Sequence, residues 1–294
     1  MELIQNYTSD TESEKEKEEE DRQVKKAKKG SNLPSPPPLV IFSQVSHMSK
    51  SKLASMYLSI IWKPSHLQVR QLEQASNKII SQLPMLSENY NWIPLSRDLR
   101  RNTGFHISLG DLFYFNSVDQ VQLLDKFEKG FRKLDLPKAL ISKTGVSSIN
   151  LNKVNNKLAQ LLNKEKNCIN LPTQTGKITL YPGKLPSVLF LAIPIKQNDS
   201  TKQLFNQLSK LRHEMIPEDQ MEYDVGWLDN LHISITSGYQ KKKALNDEEF
   251  NNVKSEIEAI DLGEDLKDID IKVQDLDVTI NDGEIETKKF KLIE

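Results

Sequence analysis

The sequence reads FHISL at residues 105–109 and LHISI at residues 231–235, and these two short stretches organise our interpretation of the chain. Each alternates apolar and polar residues, which is the period of a β-strand with one buried face. Residues two apart in a strand point the same way. The sequence therefore predicts two strands that each present an imidazole and a hydroxyl on one face, namely His106 with Ser108 and His232 with Ser234.

The same order of elements surrounds both stretches: a strand and an amphipathic helix come before, and another helix comes after. Around the first stretch we predict a strand at 56–62, a helix capped by Ser65 and a helix from about Ser117. Around the second we predict a strand at 187–193, a helix opened by Ser200 and a helix from about Asp247. Further strands are expected at 177–181, 269–273, 277–280 and 285–292, and a helical stretch around 154–162. The repetition indicates a duplication.

These elements predict an α+β fold of two pseudo-symmetric lobes. Each lobe is expected to be an antiparallel sheet with helices on its outer face, and the active-site cleft is expected between the lobes. We place the folded domain at residues 39–294, with lobe one at about 39–140 and lobe two at about 175–294.

Residues 1–38 are predicted to be a disordered tail. Residues 9–30 are an acidic run followed by a basic one with almost no apolar side chains, so ordering them would bury nothing that offsets the lost entropy. The proline-rich stretch 34–38 marks the junction with the domain. Four lysines at 25, 26, 28 and 29 are typical of a nuclear import signal or a loose nucleic-acid contact. A solvated charge run is the alternative reading. We expect a nuclear protein.

Composition excludes several classes. With 40 Lys and Arg against 41 Asp and Glu, the net charge of -1 gives no overall basic excess, so any nucleic-acid surface must be local. The single cysteine, Cys168, excludes an internal disulfide framework and a cysteine zinc cluster. Residues 1–20 lack the basic and apolar regions of a secretory signal, and no long apolar run is present, so we expect a soluble, non-secreted protein that does not associate with membranes.

Two imidazoles and two hydroxyls facing one cleft suit phosphodiester chemistry at an RNA 3′ end. One neutral histidine can take a proton from the attacking 2′-OH or water, while the other, protonated, gives one to the leaving oxygen. The hydroxyls of Ser108 and Ser234 can donate to the phosphate oxygens. Either histidine can take either role on this reading. Because imidazoles titrate near neutral pH, the mechanism needs no metal and no cofactor.

A His-x-Ser tripeptide alone is a weak signal, since one copy is more often a half-buried strand position satisfied by a neighbour. His47-Met-Ser49 also matches, yet polar residues flank it and no strand pattern surrounds it. His66 and His213 lack the following Ser or Thr, and no H-x-x-x-H or H-E-x-x-H metal spacing exists. What distinguishes the two copies at 106 and 232 is their apolar flanks and their repeated context.

With one H-x-S motif in each predicted lobe, the chain resembles the 2H phosphoesterase superfamily. Its charged tail, the spacing of its motifs and the segment WLDNLHIS at 227–234 are similar to the U6 small nuclear RNA phosphodiesterase family, the exonucleases that trim the 3′ oligouridine tail. The resemblance covers about residues 39–294. It implies a bilobal, metal-independent enzyme, with His106, Ser108, His232 and Ser234 as the catalytic set.

The resemblance also implies an aromatic residue shortly before the second motif that stacks on the terminal base. Trp227 matches that position best, although a core tryptophan is the alternative, and Asn230 is expected to contact substrate in the same segment. Arg97, Arg100 and Arg101 precede the first motif and could contact phosphates or lie in a solvated loop.

The leading hypothesis is a monomeric, metal-independent 3′-5′ RNA exonuclease that trims the 3′ oligouridine end of U6 small nuclear RNA through a 2′,3′-cyclic phosphate. A second enzyme hypothesis keeps the same site but acts on other RNA ends or on small cyclic phosphates. A hypothesis of another class is a module that binds RNA 3′ ends without chemistry. The pairing of two histidines with two serines favours an enzyme, since a binder needs no proton-transfer groups.

Overall fold

The computed structural model describes residues 53–98, 104–144, 166–174, 176–185, 187–218, 220 and 226–293. The expected tail at 1–38, the helical stretch around 154–162, and Arg100 and Arg101 lie outside these residues and stay predictions.

The predicted elements that lie within the described residues occur in the predicted order. The described strands are β1 (Leu53–Trp62), β2 (Tyr90–Pro94), β3 (His106–Ser108), β4 (Phe113–Asn116), β5 (Ile141–Thr144), β6 (Lys166–Leu171), β7 (Thr179–Pro182), β8 (Val188–Pro194), β9 (His232–Gln240), β10 (Ile271–Asn281) and β11 (Ile285–Lys291). The described α-helices are α1 (His66–Gln82), α2 (Pro84–Asn89), α3 (Gln120–Phe131), α4 (Asp199–His213) and α5 (Asp247–Ala259). Of these, β2, β4, β5, β6 and α2 occur in addition to the predicted elements.

The strands form two antiparallel sheets, which confirms the α+β class. The first sheet has the order β3-β1-β10-β6-β5, with β4 also paired to β1 and β11 paired to β10. The second has the order β2-β9-β8-β7. Each sheet contains one His-Ile-Ser strand: β3 is at the end of the first and β9 is inside the second.

Sheet membership crosses the expected lobe bounds of 39–140 and 175–294. β2, early in the chain, pairs with β9 in the second sheet, and the C-terminal β10 and β11 complete the first sheet. The physical reason is that β1 has a second edge to satisfy. β10 fills it along nearly its full length, from Ser55 opposite Asn281 to Trp62 opposite Val273.

Side-chain caps begin α1, α4 and α5. Ser65 caps α1 as predicted: its hydroxyl accepts from the Gln68 backbone N–H at 3.3 Å, and the Gln68 side chain accepts from the Ser65 N–H at 2.9 Å. α4 begins one residue before the predicted Ser200, because Asn198 is its cap. α3 begins at Gln120, after a short 3-10 turn over Ser117–Asp119.

A β-bulge lies next to each motif. On β10, Gln274 is the extra residue, since Ile61 pairs with Asp275 while Trp62 pairs with Val273. The strand therefore runs continuously through 274–276, where we predicted a break between two strands. The bulge disturbs the alternation that the sequence pattern relies on.

The second bulge lies within β9. Leu191 pairs with Thr236 and the adjacent Ala192 pairs with Ser234, so Thr236 and Ser234 point to opposite faces of the sheet. Thr236 is turned toward α1, where its buried hydroxyl donates to that of Ser76 at 2.8 Å. The bulge thus separates a packing face from the face that carries the second motif.

Helices pack against both sheets around one extended apolar core. α1 contacts β9 and α5 contacts β7 in the second sheet. α3 packs on the first sheet, where the Phe127 ring meets the Phe290 ring edge-on at 4.9 Å. Among the described residues, none of the helices combines the length and the apolarity needed to cross a lipid bilayer.

Candidate active site

The two motif histidines are held in the same way by their own backbones. Nδ1 of His106 hydrogen-bonds the carbonyl oxygen of Gly104 at 2.7 Å, and Nδ1 of His232 hydrogen-bonds that of Asn230 at 2.6 Å. A carbonyl oxygen only accepts, so Nδ1 is the donor in both bonds. In the neutral ring the lone pair then lies on Nε2, which leaves Nε2 to exchange a proton with a substrate.

The tertiary structure brings the two motifs together. β3 and β9 belong to different sheets, yet they pack against one another. This contact places the two motif histidines on neighbouring strands, and charge on His106 lowers the pKa of His232.

Burial is the largest influence on His232. The imidazole is half-buried, and this burial lowers its pKa because water stabilises the charged form. The hydrogen bond to the Asn230 carbonyl raises the pKa, and charge on His106 lowers it again. The net shift is downward, so His232 favours its neutral form more than an exposed histidine does.

The serines of the motifs differ in their surroundings. Ser108 is exposed, and its hydroxyl is hydrogen-bonded to the hydroxyl of Tyr57. It sits opposite the buried Ser59 of β1. Ser234 is half-buried and shares its sheet face with His232.

Sequence reasoning missed Tyr57, which contacts both polar residues of the first motif. Its ring meets that of His106 edge-on, with the centroids 6.0 Å apart and the planes at 84°. The available signal was the alternation of β1, in which Tyr57, Ser59 and Ile61 form the face opposite the apolar one.

Sequence reasoning also missed Tyr181, at the end of β7. Its ring stacks on that of His232, with the centroids 3.9 Å apart and the planes at 15°. The ammonium of Lys254 lies over the same tyrosine ring, 6.0 Å from its centroid. Burial, and then the Glu258 carboxylate, raise the pKa of the Tyr181 phenol, so the hydroxyl stays protonated at neutral pH. No pattern in the sequence marked this residue.

A cavity of about 330 Å³ adjoins the second motif. Tyr181 and Pro194 line it, and Pro194 is the strand partner of His232. Lys177 and Lys254 also line it. It is therefore a polar recess that opens beside the second histidine.

A single 3-10 turn spans Trp227–Asn230, directly before β9. Gly226, which precedes the turn, has a φ of 86°, a left-handed conformation that favours glycine. The Trp227 side chain is half-buried and packs partly against the apolar core. The Asn230 side chain is exposed, with its amide 3.4 Å from the Gly226 carbonyl oxygen, while its own backbone carbonyl holds His232. The substrate contacts expected for Trp227 and Asn230 stay predictions.

The other candidate residues from the sequence have no contact with the two motifs among those that the structure describes. Arg97 is exposed and pairs with Glu73 at 2.7 Å. His66 and His213 are exposed on α1 and α4, and Cys168 is buried. Within the described part of the chain, no group of three or more His, Cys, Asp or Glu is placed to hold a metal ion.

Comparison with known proteins identifies the fold. No protein-family model matches the sequence, and no curated protein is significantly similar to it. Among solved structures, Usb1 of Kluyveromyces marxianus matches with a TM-score of 0.54 at 12% identity, over 79% of this chain and 96% of that one. The same protein with uridine monophosphate matches with a TM-score of 0.50 at 13% identity, over 81% and 97%.

The chain therefore has the fold of Usb1, and the resemblance drawn from the sequence is confirmed at the level of the fold. The agreement extends over nearly the whole of the Usb1 chain.

Proposed function

We propose that this protein is a metal-independent RNA phosphodiesterase that removes nucleotides from an RNA 3′ end. One observation carries the proposal: the two histidines lie on β3 and β9, strands of different sheets that pack against each other, and each donates through Nδ1 to a backbone carbonyl, which frees Nε2. Two such imidazoles supply both proton transfers of a phosphodiester cleavage. The Usb1 fold adds support of a coarser kind.

In the proposed reaction, the 2′-OH of the penultimate nucleotide attacks the adjoining phosphorus. The neutral histidine takes the 2′-OH proton at Nε2 as the new P–O2′ bond forms. The protonated histidine gives its Nε2 proton to O5′ of the terminal nucleoside as the P–O5′ bond breaks. The products are a free nucleoside and a shortened RNA that ends in a 2′,3′-cyclic phosphate.

We propose that His232 acts as the base and His106 as the acid. The support is that burial lowers the pKa of His232 and so favours its neutral, proton-accepting form. Ser108 and Ser234 donate hydrogen bonds to the phosphate oxygens, where charge builds up in the transition state.

The proposed substrate is single-stranded RNA with a 3′ oligouridine end, with U6 small nuclear RNA as the specific case. The uridine preference rests on the solved complex of Usb1 with uridine monophosphate. Trp227 and Asn230 stand directly before the second motif and are proposed to contact the terminal nucleotide, Trp227 by stacking on the base. We also propose that the protein acts as a monomer. We further propose that it acts in the nucleus, since its basic cluster at 25–29 is typical of a nuclear import signal.

The test is mass analysis of a short oligouridine after incubation with purified protein in excess EDTA. We expect the first cleavage to release uridine and each later one to release uridine 2′,3′-cyclic phosphate, while every shortened RNA ends in a 2′,3′-cyclic phosphate. A matched RNA whose penultimate nucleotide carries 2′-deoxyribose should not lose its terminal nucleoside, because the nucleophile is missing. Loss of activity in EDTA that magnesium restores would instead indicate a two-metal nuclease.

The same assay separates the alternatives. If the oligouridine stays intact while a nucleoside 2′,3′-cyclic phosphate is opened, the protein is a cyclic phosphodiesterase. If RNA is bound and neither substrate changes, it is a binding module.

A further inference from the structure

Tyr181 and His232 are in contact although they lie on strands that are not paired with each other. Tyr181 lies on the edge strand β7, opposite Phe190 of β8, whereas His232 lies opposite Pro194, several residues further along β8. The tyrosine side chain spans this gap, and its ring ends nearly parallel to the imidazole at 3.9 Å. Parallel packing at this distance is van der Waals contact over the ring face.

The stack supplies a restraint that the backbone hydrogen bond does not. The bond from Nδ1 to the Asn230 carbonyl fixes one edge of the imidazole, but the ring can still rock about that edge. A flat surface against the ring face removes this rocking. Together, the two contacts determine the direction in which Nε2 points.

Helix α5 holds Tyr181 in place. It packs against β7, and its Glu258 carboxylate accepts from the hydroxyl of Thr179, two residues before the tyrosine, at 2.5 Å. The Lys254 ammonium lies over the tyrosine ring at 6.0 Å from the centroid, within reach of a cation–π attraction. The tyrosine is thereby constrained by groups from a separate element.

We propose that Tyr181 is a positioning residue that fixes the plane of the His232 imidazole, and with it the line along which Nε2 exchanges its proton. The inference rests on the proposed function for its catalytic meaning, and it concerns the ring rather than the hydroxyl of Tyr181. It follows that phenylalanine can replace the tyrosine, whereas a small side chain cannot.

The stack has a second consequence, because it covers one face of the imidazole and withholds water from it. Burial is the main cause of the lowered pKa of His232. Among the described residues, His106 from β3 acts electrostatically on His232, while Lys254 and Glu258 from α5 act on the stacked Tyr181. Removing the tyrosine ring should therefore let the pKa of His232 rise toward its ordinary value.

The experiment compares Tyr181→Phe, Tyr181→Leu and Tyr181→Ala, with Tyr114→Ala as the matched control at an exposed tyrosine of β4. For RNA cleavage, we expect Tyr181→Ala and Tyr181→Leu to lower kcat by about 10-fold to 100-fold with little change in KM, since a misdirected proton acceptor slows chemistry more than binding. Tyr181→Phe should keep the kcat of the unmodified protein, because it keeps the ring. Tyr114→Ala should match the unmodified protein.

The substrate-free readout is a titration of the His232 imidazole by NMR in the same variants. We expect the pKa of His232 to rise in Tyr181→Ala and to stay lowered in Tyr181→Phe. If Tyr181→Ala does not fold, Tyr181→Leu, which keeps an apolar side chain, carries the comparison. The inference is overturned if the small side chains leave both kcat and the titration unchanged, or if Tyr181→Phe loses as much kcat as Tyr181→Ala.

The two readouts distinguish this inference from the proposed function. If the unmodified protein cleaves no RNA but the titration responds as expected, the proposed function fails and the positioning of His232 by Tyr181 stands. If RNA is cleaved and neither readout responds to Tyr181→Ala, the positioning role alone fails.

Discussion

The hydroxyl of Tyr57 is hydrogen-bonded to the hydroxyl of Ser108, while its ring packs nearly perpendicular to the ring of His106. One tyrosine from β1 therefore contacts both polar residues of the first motif. The second motif has its own tyrosine, Tyr181, which stacks flat on His232. The two halves of the site are built with the same residue type but with different contacts.

Replacing Tyr57 by Phe keeps the ring beside His106 and removes the partner of Ser108. We expect turnover to fall by about fivefold, which corresponds to one hydrogen bond of about 1 kcal/mol. The same change in a Ser108→Ala background should have no further effect. Tyr114→Phe, at an exposed tyrosine of β4, is the control. Equal effects of Tyr57→Phe in the two backgrounds would show that the bond has no role in turnover.

Replacing His106 or His232 by Ala removes a proton-transfer group. We expect single-turnover cleavage to slow by roughly 100-fold or more for each, and the double variant to lose much less than the product of the two. His66→Ala, at an exposed histidine of α1, should cleave at the normal rate. RNA affinity, measured by fluorescence anisotropy, should change little. Full turnover with lost RNA binding would support the binding module instead.

The lowered pKa of His232 predicts how activity depends on pH. If neutral His232 is the base, the acidic limb of kcat/KM should lie below about pH 6.5, the ordinary value for histidine. The limb should move upward in Tyr181→Ala, where the ring is uncovered. An acidic limb at or above about pH 6.5 in the unmodified protein would contradict the assignment.

Stability should follow from the same shift. The unfolded chain takes up a proton on this histidine near pH 6.5, about the ordinary value, and the folded protein does so only at lower pH. Within that window the unfolded state binds more protons, so the free energy of unfolding should fall as pH falls. Urea unfolding across the window measures the slope, and the slope should be smaller in His232→Ala.

Asp277 is a stability liability on β10. Burial is the main cause of its raised pKa, and among the described residues its Oδ1 atom has no hydrogen-bond partner. We expect Asp277→Asn to raise the free energy of unfolding at neutral pH by less than about 1 kcal/mol, because it removes a charge that is poorly solvated. The gain should shrink as pH falls through the raised pKa, since the native carboxyl is then also neutral.

Asp275→Asn, two residues earlier, is the matched control for that change. Asp275 pairs with Lys63 at 3.1 Å, so its replacement should leave stability unchanged or lower it slightly. Urea unfolding of both variants at neutral pH makes the comparison. Destabilisation by Asp277→Asn would mean that its carboxylate is needed by the fold.

Replacing Trp227 by Ala tests the proposed base contact. Stacking on one base is worth roughly 1 to 3 kcal/mol, so RNA affinity should fall by that amount while turnover at saturating RNA changes less. Because Trp227 also packs partly against the core, thermal unfolding must be measured alongside. A lower melting temperature with unchanged RNA affinity would assign Trp227 to packing alone.

Local patterns predicted most of the elements, because each rests on neighbours in the sequence. Ser65 starts α1 as predicted, and β1, β3, β8 and β9 overlap the predicted strands. β2 was not predicted, because the strand is short and contains Pro94. Proline is tolerated here because β2 lies at the edge of its sheet. The strand is held by its neighbour: the Trp92 ring lies over Gly238, where an added Cβ would come within 2.7 Å of that ring.

The sequence by itself determined that His106 and Ser108 share a strand face, as do His232 and Ser234, since a period of two requires only the strand. Only the tertiary structure decided which strands form each sheet, where the bulges turn a side chain over, and which tyrosines contact the histidines. These features join residues far apart in the chain, such as Tyr181 and His232. They depend on the packing of separate elements, which leaves no periodic signal in the sequence.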